Sequence, residues 1–214
     1  MRLASLILLA TVTAAVAQQP AQPVAMTYTY PVAVYQIPDV GKTLTLTTDQ
    51  TTRLNALTEK VQAQYRDNYA KIASLPEADR DARARELYRQ YYTDWDKGAR
   101  DIFNDTQRAR YQQIAYQYGG FDTLYYPDVQ TKLGLTPVQI KELNDHWAWN
   151  NQQWQTVYTT GAADPTKGAT LYRDYWTARQ ARFNKFLTPA QQKAWGELTG
   201  EAYVFQPYFG PRRP

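Results

Sequence analysis

A five-residue pattern returns four times along this chain, and it fixes where helices can begin. Leu46-Thr47-Thr48-Asp49-Gln50, Leu135-Thr136-Pro137-Val138-Gln139 and Leu187-Thr188-Pro189-Ala190-Gln191 share the form LTxxQ, while Phe103-Asn104-Asp105-Thr106-Gln107 keeps it with Asn replacing Thr. Thr or Asn followed three residues later by Gln is a capping box. The cap side chain accepts from the Gln backbone N–H, and the Gln side chain reaches back to the cap's own N–H. Two orphan donors at a helix start are thereby satisfied. Thr47 with Gln50, Asn104 with Gln107, Thr136 with Gln139 and Thr188 with Gln191 are therefore predicted helix starts. The Leu or Phe before each cap sits where a hydrophobic staple would sit.

The repetition extends beyond the caps. A constant offset of 89 residues carries Pro38-Asp39-Val40 onto Pro127-Asp128-Val129, Gln50 onto Gln139 and Leu54 onto Leu143. Further along, an offset of 84 carries Leu87-Tyr88-Arg89-Gln90-Tyr91-Tyr92 onto Leu171-Tyr172-Arg173-Asp174-Tyr175-Trp176. The same offset takes Phe103 to Leu187, Gln107 to Gln191, Tyr111 to Trp195 and Ile114 to Leu198. A five-residue length difference between the anchors belongs in a loop. The pattern predicts an internal duplication, with one unit over 38–120 and a second over 121–200.

These paired LTxxQ motifs, separated by long helical stretches and preceded by an export-like leader, resemble the Spy/CpxP-like periplasmic proteins. The resemblance implies a small all-helical envelope-stress protein, and for activity an ATP-independent chaperone. Members of that family carry one pair of motifs, whereas this chain carries two. Family chaperones of this kind act as dimers, so the resemblance implies either a monomer acting as a pseudo-dimer or a homodimer.

From the start of the chain, Arg2, the apolar run Leu6-Ile7-Leu8-Leu9-Ala10 and the small residues Ala15-Val16-Ala17 read as a signal peptide cleaved after Ala17. That places the protein in the periplasm or outside the cell. The apolar run is too short to span a bilayer, and no later stretch predicts a transmembrane segment. Residues 18–37, rich in Gln and Pro, read as a flexible leader. The first helix is expected from Thr47 to about Ala73, with Leu54, Leu57, Val61, Tyr65, Tyr69 and Ile72 at three- or four-residue spacing. Ser74 and Glu77 read as a further capping box opening a second helix, whose inner face is Ala84, Leu87, Tyr91, Trp95 and Ile102. A third helix starts at Asn104 and stops at Gly119-Gly120, and 121–134 reads as a linker with a short turn of helix that stops at Gly134.

In the second unit a helix from Thr136 carries Ile140, Leu143, Trp147, Trp154 and Val157 and ends near Gly161. Asp164-Pro165-Thr166-Lys167-Gly168 reads as a hairpin loop, followed by a helix whose inner face is Leu171, Tyr175, Ala178, Arg182 and Phe186. A sixth helix runs from Thr188 to Gly200, and 201–214, with Tyr203, Phe205, Tyr208 and Phe209 among prolines, reads as an extended tail.

Catalytic chemistry finds little material. The chain holds one His, His146, and no Cys, which removes Cys–His pairs, multi-His metal sites and disulfides. His146 lies beside the packing face, where a hydrogen-bonded structural role is expected. Glu142 and Met26 add too little to His146 to hold a metal. No Gly-rich phosphate loop precedes a helix. The expectation is a non-enzyme with no cofactor. Net charge is +4, but the charges alternate in sign along each helix, which argues against nucleic acid as a partner.

Aromatics are the remaining signal: 18 Tyr and 6 Trp in an otherwise hydrophilic chain. Tyr88, Tyr91, Tyr92 and Trp95 cannot all face one helix seam, and Tyr172, Tyr175 and Trp176 repeat the excess. Tyr88, Tyr92, Tyr172 and Trp176 are the candidate residues for a surface that holds unfolded or partly folded envelope proteins by apolar and cation–π contact. The expected fold is all-α: two tandem three-helix units of antiparallel hairpins, elongated, with extended ends. The leading functional expectation is a periplasmic ATP-independent chaperone-like or envelope-stress protein. The rival is a non-catalytic structural or adaptor protein of the envelope with one fixed partner.

Overall fold

A computed structural model of the chain describes residues 31, 33–37 and 39–206, so the expected signal peptide and the last eight residues of the tail lie outside it. The described residues form an all-α fold with no strand. Its helices are α1 (Val40–Thr43), α2 (Thr48–Ile72), α3 (Glu77–Ala99), α4 (Asp105–Gly119), α5 (Pro127–Leu133), α6 (Pro137–Ala163), α7 (Pro165–Phe186) and α8 (Pro189–Thr199). Turns of 3-10 helix at Val34–Gln36 and Asp122–Tyr125 precede α1 and α5.

Two hairpins dominate the packing, α2 against α3 and α6 against α7. In the first, Arg53 bonds the Asp101 carbonyl, Thr58 meets Trp95, and Tyr65 meets Asp94. Numbers rise on one helix as they fall on the other, so the helices are antiparallel. In the second, Gln139 meets Phe186, His146 meets Arg182 and Asn150 meets Tyr175, with the same sense. α4 packs on α8 and bridges the two halves.

All four capping boxes are closed, at Thr47, Asn104, Thr136 and Thr188. The glutamines do more than cap. Gln50 Nε2 donates to Gln107 Oε1 at 2.7 Å and to the Ile102 carbonyl at 2.8 Å. Gln107 Nε2 donates back to Gln50 Oε1 at 3.2 Å and to the Leu44 carbonyl at 3.1 Å. In the second half, Gln139 and Gln191 pair at 2.9 and 3.0 Å, and their remaining N–H groups reach the Phe186 and Gly134 carbonyls. Ile102 and Gln107 map onto Phe186 and Gln191 at the offset of 84. Each glutamine spends both amide hydrogens and accepts from its cap N–H and from its partner, and Gln139 accepts from the Thr136 hydroxyl as well.

The knot also explains a backbone oddity. Gln107 and Gln191 both reach for carbonyls just past a short helix, where the chain turns through positive φ: Thr45 at +51° and Gly134 at +58°. Glycine adopts that conformation freely and a β-branched residue resists it. The two positions correspond at the offset of 89, so the first half holds a strained Thr where the second holds Gly.

Several expectations are corrected. Residues 33–37, assigned to the flexible leader, are packed in: Ala33, Val34, Tyr35 and Ile37 are buried. Tyr35 stacks on Trp95 at 5.7 Å and bonds Asn55 and Thr58, because a phenol can bury its ring and still satisfy its hydroxyl. Ser74 does not cap α3. Its hydroxyl bonds the Lys71 carbonyl at the end of α2, and Pro76 occupies the cap position. The linker 121–134 is core, with Phe121, Leu124, Val129 and Leu133 buried. The loop at 164–168 shrinks to one residue: Asp164 ends α6 and caps α7, accepting from the Thr166 and Lys167 N–H groups. Ile140, expected on the inner face of α6, is 38% exposed.

Helix α7 is rotated from the expected face. Gly168, Tyr172, Tyr175, Arg179 and Phe183 are buried, while Ala178 is exposed and Leu171, Arg182 and Phe186 are half-buried. Four of those buried positions are the images of Ala84, Tyr91, Trp95 and Ala99 on α3 at the offset of 84.

Two stability outcomes follow. Gln107→Glu keeps an acceptor for the cap N–H but removes both Nε2 donors, and at pH 7 should cost about 2–3 kcal/mol, against about 1 kcal/mol for Thr47→Ala. Equal urea midpoints for the two variants would refute the amide pair. Thr45→Gly should stabilise by about 0.5 kcal/mol, because relief of positive-φ strain outweighs the added unfolded-state entropy. A lower midpoint would show that Thr45 is not strained.

Candidate functional site

Helix α3 carries two adjacent stripes. The inner one, Ala84, Leu87, Tyr91, Trp95 and Ala99, is core. The next, Arg85, Tyr88, Tyr92 and Asp96, advances by three or four residues along the neighbouring face and lines a cavity of about 1690 Å3. Helix α6 supplies Trp147, Asn150, Asn151, Trp154 and Tyr158 to the opposite wall at the same helical spacing. Tyr125, Tyr126 and Asp122 close one side, and Trp176 and Arg179 of α7 contribute from the other.

Arginines tie the walls together. The Arg85 guanidinium lies 4.9 Å from the Trp147 ring and 5.3 Å from Tyr125, crossing from α3 to α6. Arg179 is 6% exposed. Its guanidinium sits 4.4 Å over Trp176 and donates to the Tyr118 carbonyl at 2.6 Å and the Gln117 carbonyl at 3.4 Å. A buried charge is tolerable here because it meets the exposed carbonyls at the negative end of α4. Gly120 makes the approach possible: at φ +53°, a Cβ there would stand 2.1 Å from Arg179 Nη2.

Asp96 and Asp122 face the cavity. Both are exposed to solvent on the cavity rim, yet crowding by the surrounding walls desolvates them and pushes each carboxyl up to about 6, against the pull of Arg100 on Asp96 and of Arg179 and Arg85 on Asp122. Burial likewise raises the Tyr92 hydroxyl and takes that of Tyr125 to about 12. The cavity therefore offers neutral phenols, indoles and two carboxyls that titrate in a mildly acidic range.

Of the four residues expected on a binding surface, Tyr88, Tyr92 and Trp176 line this cavity, half-buried. Tyr92 and Trp176 are duplication partners, so equivalent positions from the two halves meet on one concavity. Tyr172 does not. It is 5% exposed, and its ring packs against Trp154 and Trp176. Trp154, the image of Tyr65, stands half out of its hairpin seam and gives Tyr172 an aromatic surface to fold onto. Tyr172 is thus core.

His146 stacks on Phe121 at 4.3 Å and accepts from Arg182 Nε at 2.8 Å. Burial, then the nearby guanidinium, lower its pKa, so it is a neutral acceptor in a packed aromatic cluster. Among the described residues no three His, Cys, Asp or Glu groups converge as a metal site would need, and no helix is long and apolar enough to cross a membrane. No protein-family model, curated protein or solved structure significantly matches the chain.

Sequence reasoning missed Arg179, Asp96, Asp122 and the α6 aromatics as a set. The duplication held one usable signal, since Arg179 stands where Trp95 stands in the first half.

Asp96 and Asp122 have folded pKa values above the ordinary carboxylate value, so their favourable contribution is complete below about 3.8 and is lost as pH rises through about 6. Asp96→Asn and Asp122→Asn should therefore raise the melting temperature most at pH 7.5, with the gain shrinking toward pH 4. A gain that does not change with pH would show that these carboxyls are ordinarily solvated.

Proposed function

We propose that this chain is a non-catalytic, exported protein of the bacterial envelope that holds unfolded or partly folded protein segments in the aromatic groove between its two helical hairpins. The observation that carries the reading is the second stripe of α3. Tyr88 and Tyr92 face an open concavity opposite Trp147, Trp154 and Trp176 when a simple hairpin would require only the inner stripe. Part-buried rings with arginines among them offer broad apolar and cation–π contact without a shape demanding one ligand. Such a surface suits many weak partners better than one small substrate, and its acceptors and charges provide no paired nucleophile and base.

The LTxxQ resemblance to Spy/CpxP-like proteins supports the same reading and adds the periplasm as the compartment. The presence of Tyr92 and its image Trp176 on one cavity supports a single chain supplying both halves of a cradle that one-pair relatives would assemble from two.

The test is suppression of aggregation of two unrelated chemically unfolded enzymes by the full chain. Suppression of both is expected, and it should fall sharply in a Tyr88→Ser/Tyr92→Ser variant whose cooperative melt persists. Failure to protect either enzyme would favour an adaptor with one fixed partner. Undiminished protection by the variant would place client binding elsewhere.

A further inference from the structure

Residues 201–206 follow α8 outside any helix or strand, and their backbone is held by side chains of other elements. The Gln117 amide does most of this. Its Nε2 donates to the Thr199 and Glu201 carbonyls, each at 2.9 Å, and its Oε1 accepts from the Tyr203 N–H at 2.7 Å. Arg110 adds a second donor to the Glu201 carbonyl at 2.9 Å, and the Tyr172 hydroxyl reaches the Gln206 carbonyl at 3.5 Å. A side-chain amide that both donates to and accepts from an extended backbone does what a neighbouring β-strand would do, and it reads no side chain.

Phe205 is the most deeply buried side chain of the segment, with Tyr203 half-buried beside it. Phe205 is 9% exposed, stacked on Trp176 at 5.2 Å and 15° and edge-on to Tyr118 at 5.2 Å. Val204, next to it, is 75% exposed, as alternation along an extended chain requires. A cavity of about 1640 Å3 runs beside the segment along α7 and α8, so one flank of the segment borders open space.

We propose that this surface of α4 and α7 is a docking slot for an extended peptide segment bearing an aromatic residue, and that the chain's own tail fills it in cis as an exchangeable strap. Trp176 is the hinge of the argument. The strap covers it from one side, while the same residue lines the groove between the hairpins, so releasing Phe205 bares more indole next to the site already described. The strap contributes one deeply buried side chain, which makes it the type of element that opens locally while the helices stay closed. Because it is tethered, an incoming segment must compete with a high effective concentration of the tail, and the strap sets a threshold for binding. A segment with an aromatic anchor displaces it and a purely polar one does not.

The inference rests on the groove reading for the kind of segment that competes, but its test is independent of client protection. The probe is a fluorescein-labelled peptide with the sequence of residues 201–206, followed by anisotropy on the full chain. Phe205→Ala should bind the probe about tenfold more tightly than the unaltered protein, because the cis competitor has lost its aromatic anchor. Adding Gln117→Ala to that variant should remove most of the gain. Equal binding with and without Phe205, or no dependence on Gln117, overturns the proposal. Hydrogen exchange on the unaltered protein gives a second reading free of folding defects. The Tyr203 amide should exchange well before those of α4 and α7, and exchange only together with those helices would make the segment core and overturn the proposal. Probe binding without client protection would remove the groove reading and keep this one, and the reverse pattern would do the opposite.

Discussion

The structure depends on two pairs of glutamine side chains, each with one member buried and the other half-buried. In each, two primary amides face one another, each also closing its own capping box and fastening a carbonyl of the opposite element. A capping box alone would accept Glu as readily as Gln. The pair would not, since a carboxylate has no hydrogen to give and would set acceptor against acceptor. The knots bind the start of each long hairpin helix to the start of the helix that follows the hairpin, so α2 with α4 and α6 with α8 are held at fixed separation. Everything distal, including the relative rotation of α3 and α7, is hung from those ends.

With the hairpins fixed, the surplus of aromatics sorts itself by geometry. One stripe of α3 fills the seam with α2, and the next stripe has no helix directly over it and borders the groove. On α7 the core stripe is the same in position but not in chemistry, for Arg179 occupies the place of Trp95. That exchange is viable because the arginine finds a helix C-terminus, a glycine that leaves room and an indole face. The duplicated halves are therefore alike where the knots hold them and differ where they meet.

The groove and the strap share Trp176, and this links the two functional proposals physically. Under those proposals, aromatic walls, exposed carboxyls on the rim and a tethered tail would make a surface of modest affinity whose access its own chain controls. Because Asp96 and Asp122 are raised to about 6, protonating them in mild acid makes this predominantly basic groove more positive.

The four capping-box helix starts, the helical class and the presence of more aromatics than one seam can absorb were written in the sequence alone, because caps and periodicity are local and set within a few residues. Tertiary structure decided the rest. Tyr35 left the leader for the core because Trp95, sixty residues away, offered a ring to stack on. Asp164 replaced a loop because one side chain could cap a helix as another ended. Tyr172 went inward while its image Tyr88 stayed at the groove, and Asp96 and Asp122 were brought to one cavity from separate elements. The capping glutamines were legible as caps, but their pairing was not, because whether a polar side chain is spent on its own helix or on another depends on which elements arrive beside it.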